Sequence, residues 1–179
     1  MFVHLFVLKS PPIAISIDYR HKTKQNFLQL STFEIYKNKI MRIELKRLDD
    51  AFHFEAKSET GNIAYMDAGE NIGGHNKGVR PMQMLLMGIG GCSAIDIVLI
   101  LKKQKQVIED FEISIDGERE EGKEPSLWKT VVVHFKLKGQ IDKEKAERAV
   151  QLSMEKYCSV SKTLEIAGAN ITYKVSVNE

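Results

Sequence analysis

Positions 82–101 carry a single formal charge, Asp96. A run that apolar becomes either a membrane span or the central helix of a core. Pro81 stands at its front, where a fixed φ and a missing N–H suit the first helical turn. Lys102, Lys103 and Lys105 stand at its far end, where cations meet the negative pole of a helix. The pattern predicts one long helix from Pro81 to about Gln106. Gly88, Gly90, Gly91 and Asp96 interrupt the run and no second span is visible, so a central helix buried on most sides is favoured. No membrane partner is expected.

The rest of the fold is arranged around that helix. Arg42–Leu48 alternates in polarity, Asp49-Asp50 makes a turn, and Ala51–Ala56 continues with Phe52 and Phe54, so the two runs read as a hairpin. Asn62–Asp67 is a third short strand. Phe111–Arg119 and Lys129–Lys138 are two more, joined by the polar turn Glu120–Ser126. Asp142 caps a helix over Lys143–Tyr157, Cys158–Ala167 is a second helical stretch, and Gly168 ends it. Ile171–Val177 is a final strand. This order predicts an α+β fold with antiparallel sheet on one side and the helices segregated.

The first forty residues differ in character. Met1–Leu8 is apolar but lacks the basic flank and small-residue cleavage site of a signal peptide. Pro11-Pro12 and the Lys/Gln/Asn-rich stretch 21–39 show no period. Residues 1–40 are therefore read as an N-terminal extension, either an upstream-assigned start or a disordered arm, ahead of a domain at 41–179. The extension holds six lysines and arginines against Asp18 and Glu34, a net of +4, which leaves the domain at −2. A whole-chain charge of +2 gives no argument for a nucleic-acid partner.

Two cysteines cannot build the framework of a small secreted domain, so a reducing, cytoplasmic setting is expected. The histidines are scattered without ligand spacing, and no metal or cofactor is expected. Cys92 lies on the long helix with Asp96 one turn on, a carboxylate that opposes a thiolate. Read alone, Cys92 is more readily a buried structural cysteine than a reactive one. Cys158 has the reverse setting, with Lys156 and Lys162 nearby and Tyr157 able to donate a hydrogen bond. If Asp96 faced Lys162 across two helices, the same geometry would bring the thiols together. The glycine loop with Gly73-Gly74, Gly78, His75, Lys77 and Arg80 precedes a helix and could hold an anion. Its spacing matches no phosphate-binding motif, and a flexible loop is the favoured reading. Glu118, Glu120, Glu121 and Glu124 read as a solvated charge run.

Three segments carry a family resemblance: Arg80-Pro81-Met82-Gln83-Met84-Leu85-Leu86, Gly90-Gly91-Cys92-Ser93-Ala94-Ile95-Asp96 and Lys156-Tyr157-Cys158-Ser159-Val160. They resemble the OsmC/Ohr family of organic hydroperoxide reductases, and its YhfA-like branch above all, over 41–179. The resemblance implies an intertwined homodimer with shared antiparallel sheets and central cysteine-bearing helices. It implies that Cys92 attacks a peroxide oxygen, that Cys158 resolves the sulfenate, and that a dithiol such as a lipoylated protein reduces the disulfide. The alternative within the family is a non-catalytic dimer that binds a hydrophobic small molecule near Cys92. Active members place a glutamate just after the helix-opening proline, where this chain has Met82. Their thiolate-pairing arginine has no marked counterpart, and Arg42, Arg47 and Arg80 are the candidates.

Overall fold

The computed structural model describes residues 41–179, and the expectation for residues 1–40 lies outside them. Two three-stranded sheets and three α-helices, with a short 3-10 turn at Glu70–Ile72, make up the unit Ile43–Glu179. β1 (Ile43–Arg47), β2 (Phe54–Ser58) and β3 (Ile63–Met66) form an antiparallel meander, with Leu45 opposite Ala56 and Phe54 opposite Met66. Opposed residues share a face. One face of this sheet therefore carries Ile43, Leu45, Phe54, Ala56 and Met66, and the other carries Glu44, Lys46, Glu55 and Lys57. The second strand begins at Phe54 rather than Ala51, because Asp49 accepts from the N–H groups of Ala51 and His53 and holds 49–53 as a turn.

α1 (Pro81–Lys103) is the predicted long helix. Its entry is capped by the Gln83 side chain, whose Oε1 accepts from the Arg80 N–H at 2.9 Å. It stops three residues earlier than expected. Lys105 adopts a left-handed φ of 58° while Gln106 N–H bonds Leu101 O and Lys105 N–H bonds Lys102 O. That closure normally uses glycine. With lysine in its place the stop signal is invisible in the sequence, and β4 (Val107–Arg119) follows almost at once.

β4 pairs antiparallel with β5 (Trp128–Gln140) in a long hairpin. Asp142 caps α2 (Lys143–Leu152), its Oδ1 accepting from Lys145 N–H at 3.0 Å, as the sequence predicts. The expected continuation of that helix to Tyr157 instead widens into a π-turn over Ser153–Tyr157. α3 (Ser159–Ile166) and β6 (Asn170–Val177) complete the chain. The antiparallel expectation holds for the first sheet and for β4–β5, but β6 pairs with β5 in parallel. The crossover through α2 and α3 returns the chain to the same end of the sheet, which dictates that direction.

β5 is the spine of the core. Val131, Val133, Phe135 and Leu137 alternate inward against Ile89, Ile97 and Leu101 of α1 and Ala146, Ala149 and Val150 of α2. All core residues lie between Met82 and Val177, so the first sheet contributes none. The structure corrects one expectation about α1. Its length and apolarity match a membrane span, yet within this chain it is buried only along the stripe Ile89, Ser93, Ile97, Leu101. Met87, Ile95, Val98 and Leu99 stay exposed, Ile95 at 63%.

Candidate active site

α1 and α3 bring the two cysteines together. Gly88 of α1 faces Val160 of α3, whose methyl group a Cβ at that position would meet at an ordinary contact distance of 3.4 Å. Cys158 closes the π-turn and caps α3, its sulfur accepting from the Ser161 N–H at 3.4 Å. The same sulfur lies 4.0 Å from the Ile89 carbonyl of α1, three residues before Cys92. The thiols are free and unequal: Cys158 is buried at 2% exposure, whereas Cys92 is half-buried. Burial pushes the Cys158 thiol up to about 11, and the Cys92 thiol beside it adds to that rise while the Ser161 N–H opposes it. The lysines that the sequence offered as activators of Cys158 do not act there. Lys162 pairs with Glu165 at 3.2 Å, and Lys156 lies over the Tyr157 ring at 5.4 Å.

Asp96 also has a different partner from the one expected. Its carboxylate accepts from the Ser153 hydroxyl at 3.1 Å, so the Asp96–Lys162 pair is replaced by a link from α1 to the π-turn. The inference drawn from that pair, that the thiols meet, stands for another reason. Ser153 went unnoticed in the sequence, although Ala146, Ala149, Val150 and Ser153 share one helical face and a hydroxyl among alanines is a recognisable signal. Tyr157 is exposed and lines a depression of about 410 Å³ with Asp96, Leu99, Lys103 and Gln104.

Arg80 is committed elsewhere. Its guanidinium donates to the carbonyls of Gly78 (3.1 Å) and Asp67 (3.4 Å) and to the Asn76 side chain. It also stands twelve residues before Cys92, about 18 Å along the helix axis. Arg47 lies on β1, on the apolar face of the first sheet, directly opposite Phe54. Met82, at the family's glutamate position, packs against the core.

The glycine loop does hold an anion, supplied by the chain itself. Buried Asp67 accepts from the N–H groups of His75 and Lys77, both at 3.0 Å, and from that of Ala68 at 2.7 Å. Gly74 permits this closure, since a Cβ there would fall 2.1 Å from the Ala68 carbonyl. The Lys77 N–H is the largest cause holding the Asp67 carboxyl below its usual range. Beside the loop is an apolar cavity of about 440 Å³ lined by Leu45, Phe52, Phe54, Met66, Ile72 and Pro81. Cys92 is not among its lining residues, so this cavity is not the hydrophobic pocket expected at that thiol. Among the described residues no His/Cys/Asp/Glu group is arranged to hold a metal.

The helix and thiol arrangement can be set beside known proteins. The sequence model of the OsmC-like protein family matches residues 74–174, which includes α1, both cysteines and most of the second sheet. Protein YhfA of Escherichia coli K12 is 44% identical over 125 residues, covering 69% of this chain and 89% of YhfA. This chain belongs to the OsmC-like family. A hypothetical protein from Aquifex aeolicus shares its chain trace, with a TM-score of 0.64 at 32% identity over 78% of this chain and 98% of that one. An organic hydroperoxide resistance protein OsmC from Legionella pneumophila shares the fold, with a TM-score of 0.59 at 18% identity over 77% and 97%. Within the OsmC-like family, then, this chain stands with YhfA.

Proposed function

We propose that this chain reduces organic hydroperoxides, with Cys92 as the peroxidatic thiol and Cys158 as the resolving one. The observation that carries the reading is the inequality of two adjacent thiols. Cys92 is the accessible sulfur, and Cys158 is buried, protonated at neutral pH and set against it. The Cys92 thiolate attacks the distal oxygen of the hydroperoxide, the O–O bond breaks, and the alkoxide leaves as the alcohol after taking a proton. Cys92 is then a sulfenic acid. The Cys158 sulfur displaces its hydroxyl, giving a Cys92–Cys158 disulfide and water. As Cys158 loses its proton, the Ser161 N–H and the α3 N-terminus support the developing charge. An external dithiol, such as a lipoylated protein, returns two electrons and two protons.

The same reading includes a homodimer. The apolar face of β1–β3 and the stripe Met87, Ile95, Val98 are uncovered in one chain, and a second copy matches both in apolarity. Arg47 shares the uncovered face of the first sheet, so among the candidate arginines it is the one we assign to pair with the Cys92 thiolate across that interface. Arg80 is already occupied.

The test uses purified protein, an alkyl hydroperoxide and dihydrolipoamide. Turnover is expected, lost in Cys92→Ser. In Cys158→Ser, one round should stop at a sulfenic acid on Cys92 that dimedone traps for mass spectrometry. Absence of both turnover and the sulfenic acid sinks the peroxidase. A second reading, binding of an apolar small molecule, draws on the cavity at Leu45, Phe54 and Met66. It predicts saturable binding of a fluorescent fatty acid that survives Cys92→Ser and is lost in Phe54→Asp.

A further inference from the structure

The face of α2 that carries Ala146, Ala149 and Val150 into the core continues to Ser153, which is completely buried. A hydroxyl in that position needs a partner. It donates to Asp96 Oδ2 at 3.1 Å, and Asp96 lies one helical turn beyond Cys92 on α1. The main chain of the same residue is engaged toward the other cysteine: the Ser153 carbonyl accepts from the Cys158 N–H at 2.8 Å. This five-residue bond closes the C-terminal end of the π-turn that follows α2. Ser153 therefore closes a short ring: Cys92, along α1 to Asp96, across to Ser153, and back to Cys158.

No other hydrogen bond described between α1 and the π-turn runs through side chains on both sides. The exposed remainder of the turn, Glu155, Lys156 and Tyr157, faces outward. The backbone at Cys158 is thus held relative to Cys92 by this side-chain link, by the approach of the Cys158 sulfur to the Ile89 carbonyl at 4.0 Å, and by the packing of Met154 and Val160 in and against the core.

We propose that Ser153, bonded to Asp96, is a positioning residue for the dithiol: it fixes the Cys158 backbone so that its sulfur faces Cys92. The inference rests on reading the two cysteines as a redox pair, but it concerns disulfide closure and does not require a peroxide. Closure converts two thiols to one disulfide and passes two electrons and two protons to an oxidant. With oxidised dithiothreitol, the Cys92 thiolate opens the cyclic disulfide, and Cys158 then displaces the mixed disulfide to release reduced dithiothreitol.

The equilibrium constant for this exchange measures how well the fold presents one sulfur to the other. It should be determined for the full chain and for S153A, D96A and D96N, with thermal unfolding of each reduced protein recorded alongside. S153A and D96A are expected to lower the constant about tenfold, the loss of a hydrogen bond to a charged acceptor. D96N keeps an acceptor oxygen and should stay within about twofold of the parent. A stability defect alone would shift unfolding without this pattern. If D96A closes with the parent's constant, the positioning role is overturned, and D96A supplies that answer even if S153A does not fold. A parent protein that cannot close at all overturns it too. Failure to turn over hydroperoxide with closure intact removes the peroxidase reading only.

Discussion

The Ser161 N–H points at the Cys158 sulfur from 3.4 Å, so a buried thiol sits at the N-terminus of a helix. The two influences oppose each other. Burial is the larger and raises the thiol from 9.0 to about 11, while the amide favours the thiolate. The folded state therefore holds the Cys158 proton to higher pH than the unfolded chain does. Stability from this source is fully present below about pH 9 and is lost as pH rises toward 11. Urea unfolding of the parent and of Cys158→Ala, compared from pH 8 to 11, should show a decline in the parent that the variant lacks. Parallel curves would contradict this account of the thiol.

Reactivity should divide in the same way. At pH 7.5, iodoacetamide is expected to modify half-exposed Cys92 at least about tenfold faster than buried Cys158, since only thiolate that reagent can reach is alkylated. Peptide mapping over time reads both sites in one sample. Equal rates would remove the inequality on which the proposed order of steps depends.

The Asp96–Lys162 charge pair was a reasonable sequence expectation, and the structure replaces it with Asp96–Ser153 and Lys162–Glu165. Lys162→Ala should then change stability by no more than about 0.5 kcal/mol, as an exposed i,i+3 pair contributes little. The double variant Asp96→Lys with Lys162→Asp should recover nothing lost in Asp96→Lys. Recovery in thermal unfolding would restore the rejected pair.

Why some of this was legible and some was not comes down to the range of the forces involved. α1, the β4–β5 hairpin and the Asp142 cap follow from local periodicity, propensity and capping, so their outlines could be read. The stop at Lys105 could not, because the usual glycine is absent at the left-handed residue. The π-turn is closed by the Cys158 N–H on the Ser153 carbonyl, and its link to α1 joins residues fifty-seven positions apart, Ser153 and Asp96, which no local pattern encodes. The proximity of Cys92 and Cys158 was expected from family resemblance and from an Asp96–Lys162 pair that the structure replaces. Their inequality comes from tertiary burial, and the neighbouring lysines that local sequence suggested are engaged elsewhere.

Gly91 offers a clean probe of the proposed homodimer. A side chain built there meets nothing within 4 Å in one chain, and the position lies on the exposed stripe between Met87 and Ile95. Gly91→Leu should leave the single chain folded, since alanine-like propensity gains about 1 kcal/mol over glycine in a helix interior. It should nonetheless weaken a dimer packed on that stripe by about tenfold or more, as overfilling a close helix contact does. Sedimentation across a concentration series would show this. An unchanged association constant would move the interface elsewhere.

The Asp67 clasp makes a separate prediction about the loop before α1. The ionised carboxylate accepts from the His75 and Lys77 amides more strongly than the protonated acid would, and its carboxyl is held below the ordinary 3.8. A group lowered in this way stabilises the fold above its unfolded value and loses that contribution as pH falls through the folded one. Amide exchange at His75 and Lys77 should therefore be slow at pH 5 and lose its protection below pH 3.8, ahead of the core strand β5. Asp67→Ala should show the faster exchange, by about tenfold, already at pH 5, because two donors are left without their acceptor. Asp67→Asn keeps one acceptor oxygen and should fall between the two without the pH dependence. If both variants exchange like the parent, the loop is held by something other than Asp67.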